Sequence, residues 1–263
     1  MGKRKPLFST TVGKKILSAL TGLFLSVFLV GHLAGNLLIF PGQGEWITKY
    51  GNFLGALPTT LFVEFALYAL ILGHAYMGFR VWRENKAARP QEYAVKDWTS
   101  RGKLTSGPHK SRKSISSTTM AVSGMVMLLF IAAHTIHFRI GKYNYPLTQS
   151  TSANAVATKS STRTVDGKTV TSGSSVAGAK AEHKGEDLAR LINDSFQNIW
   201  VVIAYVLSMV AVALHLNHGF ASAFQSIGVA GYSKVWPWVG RVFTAVVMGG
   251  FIVIPIWVYF FRR

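Results

Sequence analysis

The sequence predicts an all-α membrane protein, a bundle of five spanning helices. Three observations predict it. Of 263 residues, 49% are hydrophobic and only 14% are charged, whereas soluble domains average about 25% charged. The apolar residues gather into five runs, each near the ~20 residues a helix needs to cross the hydrocarbon core. The positive charge, +18 overall, lies beside those runs rather than within them.

The first run, 17–40, follows Lys3, Arg4, Lys5, Lys14 and Lys15. It is long enough to span and lacks a convincing small-residue cleavage site, so it is expected to stay as a helix. The second run, 58–82, opens on Pro58, a first-turn position where a missing N–H costs little. Ten Lys and Arg fall from Arg80 to Lys113 and flank the second run and the third, 118–140. Basic loops stay on the cytoplasmic side. The N-terminus and the loop 83–117 are therefore expected inside. With the fourth and fifth runs at 198–223 and 237–260, five crossings leave the C-terminus outside. Arg262 and Arg263 at that end depart mildly from the charge rule. Charge set beside apolar spans suits anionic lipid or an acidic partner subunit rather than nucleic acid.

The connections differ in character. Residues 41–57, with Pro41, Gly42, Gly44 and Gly51, read as a short outer loop. The long outer connection is 141–197. Its middle, 148–186, is a low-complexity insert rich in Ser, Thr, Ala, Gly and Lys. It has too little apolar surface to offset the entropy of ordering, so the loop is expected to be only partly ordered. Within it, Asp166-Gly167 between β-branched residues is a hairpin signal. From Glu186 to Phe196, apolar residues recur at helical spacing among charges. That segment predicts a short amphipathic helix on the outer membrane surface.

The chain has no cysteine. Disulfides, thiolate iron–sulfur ligands and a cysteine nucleophile are excluded. Histidine carries the chemical signal instead. His32, His74, His134 and His215 lie in four separate runs, about two-thirds of the way along each. Imidazole is costly in hydrocarbon and usually marks a functional site there. His32 and His134 stand eight and six residues before the outer ends of their runs; His74 and His215 each stand eight before an inner end. The four thus fall at two depths, separated by roughly 12 Å at the 1.5 Å helical rise. Two levels of paired histidines fit the axial ligands of two stacked haems.

The flanks support this reading. His74-Ala-Tyr-Met-Gly78 and His215-Leu-Asn-His-Gly219 share the pattern His-x-x-x-Gly, and Gly31 and Gly35 flank His32. Residues i and i+4 share a helix face, and glycine there leaves room for a flat macrocycle or for close helix packing. Spacing alone does not choose the ligand within two of the helices. His137 and His218 each lie three residues after a candidate. His109 and His183 fall in loops and read as solvated.

These motifs resemble a family: the five-helix, di-haem cytochrome b membrane anchor of succinate:quinone oxidoreductases, which include fumarate reductases. The resemblance rests on Gly31-His32-Leu33-Ala34-Gly35-Asn36, Gly73-His74-Ala75-Tyr76-Met77-Gly78, Ala133-His134-Thr135-Ile136-His137-Phe138-Arg139 and Leu214-His215-Leu216-Asn217-His218-Gly219. It covers the five spans but not the insert 148–186. It implies His32 with His134 at an outer haem and His74 with His215 at an inner haem. It favours His134 over His137 because an arginine follows five residues on, and His215 over His218 because a glycine follows four on.

The resemblance also implies partners and a place: a flavoprotein subunit holding FAD, an iron–sulfur subunit, and a bacterial inner (cytoplasmic) membrane. Neither partner cofactor could be held here, with no cysteine and no Gly-x-Gly-x-x-Gly loop. The basic loop 83–117 would dock the soluble subunits. Electrons would pass inner haem to outer haem and reduce a quinone, with menaquinone as the expected acceptor. Glu64, the only acidic residue inside any predicted span, and His137 are candidates for protonating it. Gly78 and Gly219 are expected against the haems, and Arg80 and Arg139 beside the propionates by depth. Competing readings are the di-haem quinol subunit of a nitrate reductase or formate dehydrogenase type complex, a transporter using the histidines for protons or metal ions, and an anchor without haem.

Overall fold

The computed structural model describes residue 6, residues 10–88, 119–146, 186–229 and 235–262, and the backbone of 163–165 and 168–170. Among these the chain is overwhelmingly helical. α1 is Thr11–Leu37 and α2 is Glu45–Ala56, preceded by a 3-10 turn at Pro41–Gly44. α3 is Thr60–Ala87. α4, Met120–His134, runs on through a π-helical segment, Thr135–Ile140, and a 3-10 turn, Gly141–Asn144. α5 is Leu188–Phe196, α6 is Ile199–Ser226 and α7 is Val235–Phe261.

Five of these elements are long and apolar enough to cross a membrane: α1, α3, α4 with its extension, α6 and α7. The chain is a multi-pass helical membrane protein, with the five spans where hydropathy puts them and their ends shifted by a few residues. The start of α1 moves back from 17 to 11 because Thr10 caps it, its Oγ1 accepting from Gly13 N at 3.0 Å. Asn198 caps α6 in the same way, accepting from Trp200 N at 3.0 Å. These caps satisfy amide groups that a helix start leaves without partners.

The end of the bundle where α1 starts is called the near end here, and the end where it finishes the far end. α6 packs along α7, and α1 packs against both and against α3. The contact of α1 with α7 is close: a Cβ at Gly250 would stand 2.8 Å from Leu33 Cδ2. Small residues that let helices approach are the usual basis of packing in membranes. The buried core is formed by Leu33 of α1, Met209, Val212 and Leu216 of α6, and Val247, Met248, Ile254 and Val258 of α7. By contrast α3 has no buried residue. It packs on α1 but touches α4 only sparsely, and a space lined by all three opens there.

The segment 41–57, expected as a loop, contains the twelve-residue helix α2. Glycine and proline concentrate the turn in its first four residues: Gly42 and Gly44 take φ of 58° and 91°, values that favour glycine. Gly51 is inside the helix because Leu188 of α5 fills the place where its Cβ would be. α5 is amphipathic as expected, but its apolar face (Ala189, Leu191, Ile192 and Phe196) is buried in the protein. α2 and α5 together cap the far end. Ala189 N donates to Thr48 Oγ1 at 3.1 Å, and Asn52 exchanges two hydrogen bonds with the Glu186 backbone at 3.0 and 3.1 Å. Arg262 Nη2 donates to Ile39 O at 2.6 Å, so this cation serves as a strap rather than a topological signal. Burial holds its guanidinium below the usual arginine range.

The backbones of 163–165 and 168–170 pair as antiparallel strands, Val165 opposite Lys168, in the register that the Asp166-Gly167 signal predicts. The rest of the insert, the basic loop from 89 to 118, His109 and His183 lie outside the described residues.

Candidate cofactor site between four helices

α1, α3, α4 and α6 enclose a cavity of about 2620 Å³ lined by His32, His74, His134 and His215. Ordinary ligand pockets are roughly 300–1,000 Å³, so this one has room for more than one ligand.

The histidines meet in two pairs, each joining helices that the sequence pairs by depth. The rings of His32 and His134 have centroids 5.8 Å apart and planes at 86°. Those of His74 and His215 are 6.2 Å apart at 70°. The first pair is toward the far end, the second toward the near end. Gly22, which faces His74, lies ten residues before His32 on α1; Gly124, which faces His215, lies ten before His134 on α4. Ten residues of helix place the levels about 15 Å apart along the axis, somewhat more than run ends alone indicate.

Nδ1 of each near-level ring is anchored. His74 Nδ1 is 3.0 Å from Ser18 O and 3.1 Å from Thr21 Oγ1. His215 Nδ1 is 3.3 Å from Ser123 Oγ. A hydrogen bond on one imidazole nitrogen fixes the ring and directs the other nitrogen to a metal. At the far level, His32 Nδ1 is 3.4 Å from Asn36 Nδ2, and His134 Nδ1 is 3.5 Å from Tyr205 Oη.

His137 stands apart from the His32–His134 ring pair. Its Nδ1 is 3.2 Å from Tyr205 Oη and its Nε2 is 2.9 Å from Ser195 Oγ. With both nitrogens engaged it has none left for a metal. His218 lines the cavity but is not in either ring pair.

Several side chains found in the structure carry no sequence signal of their own. Cβ atoms at Gly22 and Gly124 would stand 3.0 and 3.4 Å from Cε1 of His74 and His215. They matter because their partners come from another helix. Looking ten residues before each histidine would have found them, and would also have found Glu64 before His74 and Tyr205 before His215. Gly78 and Gly219 line the cavity; Gly219 also packs on Met120, whose Cε is 3.3 Å from a Cβ there.

Glu64 and Arg139, expected to act separately, are joined. Arg139 Nε and Nη2 donate to the two Glu64 oxygens at 2.8 and 3.1 Å. Such a two-pronged pair is among the strongest hydrogen-bonded contacts. Arg139 Nη1 also donates to Tyr143 Oη at 2.8 Å. Arg139 and His137 both sit on the π-helical segment, a rare geometry often found at functional sites. Arg80 turns to Tyr76 Oη, 3.0 Å away, and to Glu84, which also holds the buried Lys14. Lys15 is the cation lining the near end of the cavity.

The donor set narrows what could bind. Among the described residues no cluster of three or more His, Asp or Glu is placed to hold a metal ion. Each site offers two imidazoles, so a metal there needs its remaining ligands from elsewhere. Two imidazole nitrogens on opposite sides of one metal stand about 4 Å apart, given bonds of about 2 Å, which puts ring centres about 6 Å apart. The observed 5.8 and 6.2 Å match this. The residues present therefore fit a macrocyclic metal cofactor at each level.

Set beside protein-family models, curated proteins and solved structures, the chain matches none of them.

Proposed function

We propose that the chain is the membrane cytochrome b subunit of a succinate:quinone oxidoreductase. In this reading it anchors a flavoprotein and an iron–sulfur subunit to a bacterial cytoplasmic membrane and passes electrons through two haems b to a quinone. One observation carries the proposal: two cross-helix histidine pairs, 5.8 and 6.2 Å apart, at two levels of one large cavity. Bound there, the haems supply one-electron chemistry at two levels of the membrane.

The chain's own residues bind, orient and shield. His74 and His215 hold the near site, with Ser18, Thr21 and Ser123 fixing their rings. His32 and His134 hold the far site. Gly22 and Gly124 leave the rings space, and Gly78 and Gly219 line the same cavity. Lys15 offers a cation to an acidic cofactor edge at the near end. Glu64 and Arg139 line the cavity toward its far end, where a quinone taking two electrons needs protons. The near end is the cytoplasmic one by its basic flanks. Two stacked sites imply a quinone on the opposite side, with menaquinone as the acceptor.

A reduced-minus-oxidised visible spectrum of the purified complex, with a haem-to-chain ratio, tests this. Two b-type haems per chain and a co-purifying flavoprotein are expected. Fewer than two haems would sink the proposal. A molybdenum-containing partner in place of the flavoprotein would favour a nitrate reductase or formate dehydrogenase type complex.

A further inference from the structure

Around the far-level pair, a line of hydrogen-bonded side chains leads from His134 to the capping helix α5. Tyr205 Oη is 3.5 Å from His134 Nδ1 and 3.2 Å from His137 Nδ1. His137 Nε2 is 2.9 Å from Ser195 Oγ, which donates to Leu191 O at 2.6 Å.

The direction of every bond in this line follows from its last member. A backbone carbonyl only accepts, so the Ser195 hydroxyl spends its proton on Leu191 O. Ser195 Oγ must then accept from His137, which places a hydrogen on His137 Nε2. A neutral imidazole carries one such hydrogen. His137 Nδ1 is therefore an acceptor, and Tyr205 donates to it. The Tyr205 oxygen keeps lone pairs for His134 Nδ1–H. The hydrogen on His134 is thus held at Nδ1, and Nε2 is left as the ligating nitrogen.

We infer that Tyr205, His137 and Ser195 form a positioning relay that sets the tautomer and ring orientation of His134. The inference rests on the reading of His134 as an axial ligand. Three features support a built device. Among the described contacts of His134 Nδ1, Tyr205 is the one hydrogen-bonding partner. Tyr205 is wedged by the rings of Phe130, Phe138 and Phe196 at 5.2–5.8 Å. The near-level rings achieve the same end with hydroxyls and a backbone carbonyl, so the relay gives His134 an anchor of the same kind. It also explains why His137 follows His134 so closely without ligating.

The test is low-temperature EPR of the ferric protein together with haem content. The low-field resonance of a bis-imidazole haem reports the angle between its two ring planes. Tyr205→Phe removes the acceptor for His134 Nδ1–H, and His137→Leu removes the acceptor for the Tyr205 hydroxyl. Both should shift the far-haem resonance or weaken far-haem retention about 10-fold or more, leaving the near-haem resonance in place. His137→Gln should restore the parent spectrum, because a carboxamide can accept from Tyr205 and donate to Ser195. An unchanged far-haem signal in both Tyr205→Phe and His137→Leu would overturn the relay. So would equal loss of both haems, which means general collapse. An unmutated protein with no haem signals would fail the cytochrome reading itself, a separate outcome.

Discussion

Gly22 of α1 lies against the imidazole of His74 on α3: a Cβ at position 22 would stand 3.0 Å from His74 Cε1. Real side chains rarely approach so closely, and the ring is held at Nδ1 by Ser18 O. Gly22→Val should turn His74 away from His215. If the pairs hold haems as proposed, the expected result is a 10- to 100-fold weaker near haem, the usual range for a disturbed ligand shell, with the far haem retained. Haem titration of the purified protein reads this. Gly31 gives the contrast, since nothing lies within 4 Å of a Cβ there. Gly31→Ala should leave both haems bound.

The ring pairing separates His215 from its neighbour. His215→Ala should abolish the near haem, while His218→Ala should retain it. The reverse outcome in paired difference spectra would show that the ligand lies one turn closer to the near end.

The Glu64–Arg139 pair should stabilise the bundle by coupling α3 to α4, which are otherwise loosely joined. Truncating one partner leaves the other charged within a span, a costly situation in hydrocarbon. Their side chains keep 28% and 32% exposure, so each single alanine variant should lose about 2 kcal/mol, below the ~3–5 kcal/mol of a fully buried pair. In a double-mutant cycle of unfolding in detergent, the double variant should lose less than the sum. Strict additivity would mean that the pair contributes nothing.

Arg262→Ala should loosen the far-end cap. It removes a charged hydrogen bond to Ile39 O, an interaction worth about 1.5–3 kcal/mol. Amide exchange should accelerate in 38–51 and stay unchanged at the near end. Uniform acceleration would point to global destabilisation instead.

The fold was legible because hydropathy acts over whole spans and needs no partner. The pairing of the four histidine rings across helices was legible for a related reason, since depth along a helix is a one-dimensional quantity. What escaped was set by residues from a second helix. Gly51 reads as a loop glycine until Leu188 is seen filling its place, and Gly22 looks like any small residue in a span until His74 faces it. Glu64 and Arg139 had matching depths, but depth does not tell which way a side chain turns. Arg80 shows the same limit: its depth suits a cofactor edge, yet it turns to Tyr76 and Glu84. Spacing could not distinguish His134 from His137; the structure distinguishes their surroundings, since Ser195 and Tyr205 occupy both nitrogens of His137.

Pro146 and Glu186 meet in an antiparallel bridge, reinforced by Asp187 N donating to Tyr145 O at 2.7 Å and by Lys142 Nζ at 3.3 Å from Glu186. The two ends of the long connection are therefore pinned side by side. Closing a longer loop between such ends adds only about 0.6 kcal/mol per doubling of length. That makes the stretch between 146 and 186 a natural port for grafting: a purification tag or fluorescent reporter spliced there should leave the spanning helices and their histidines undisturbed.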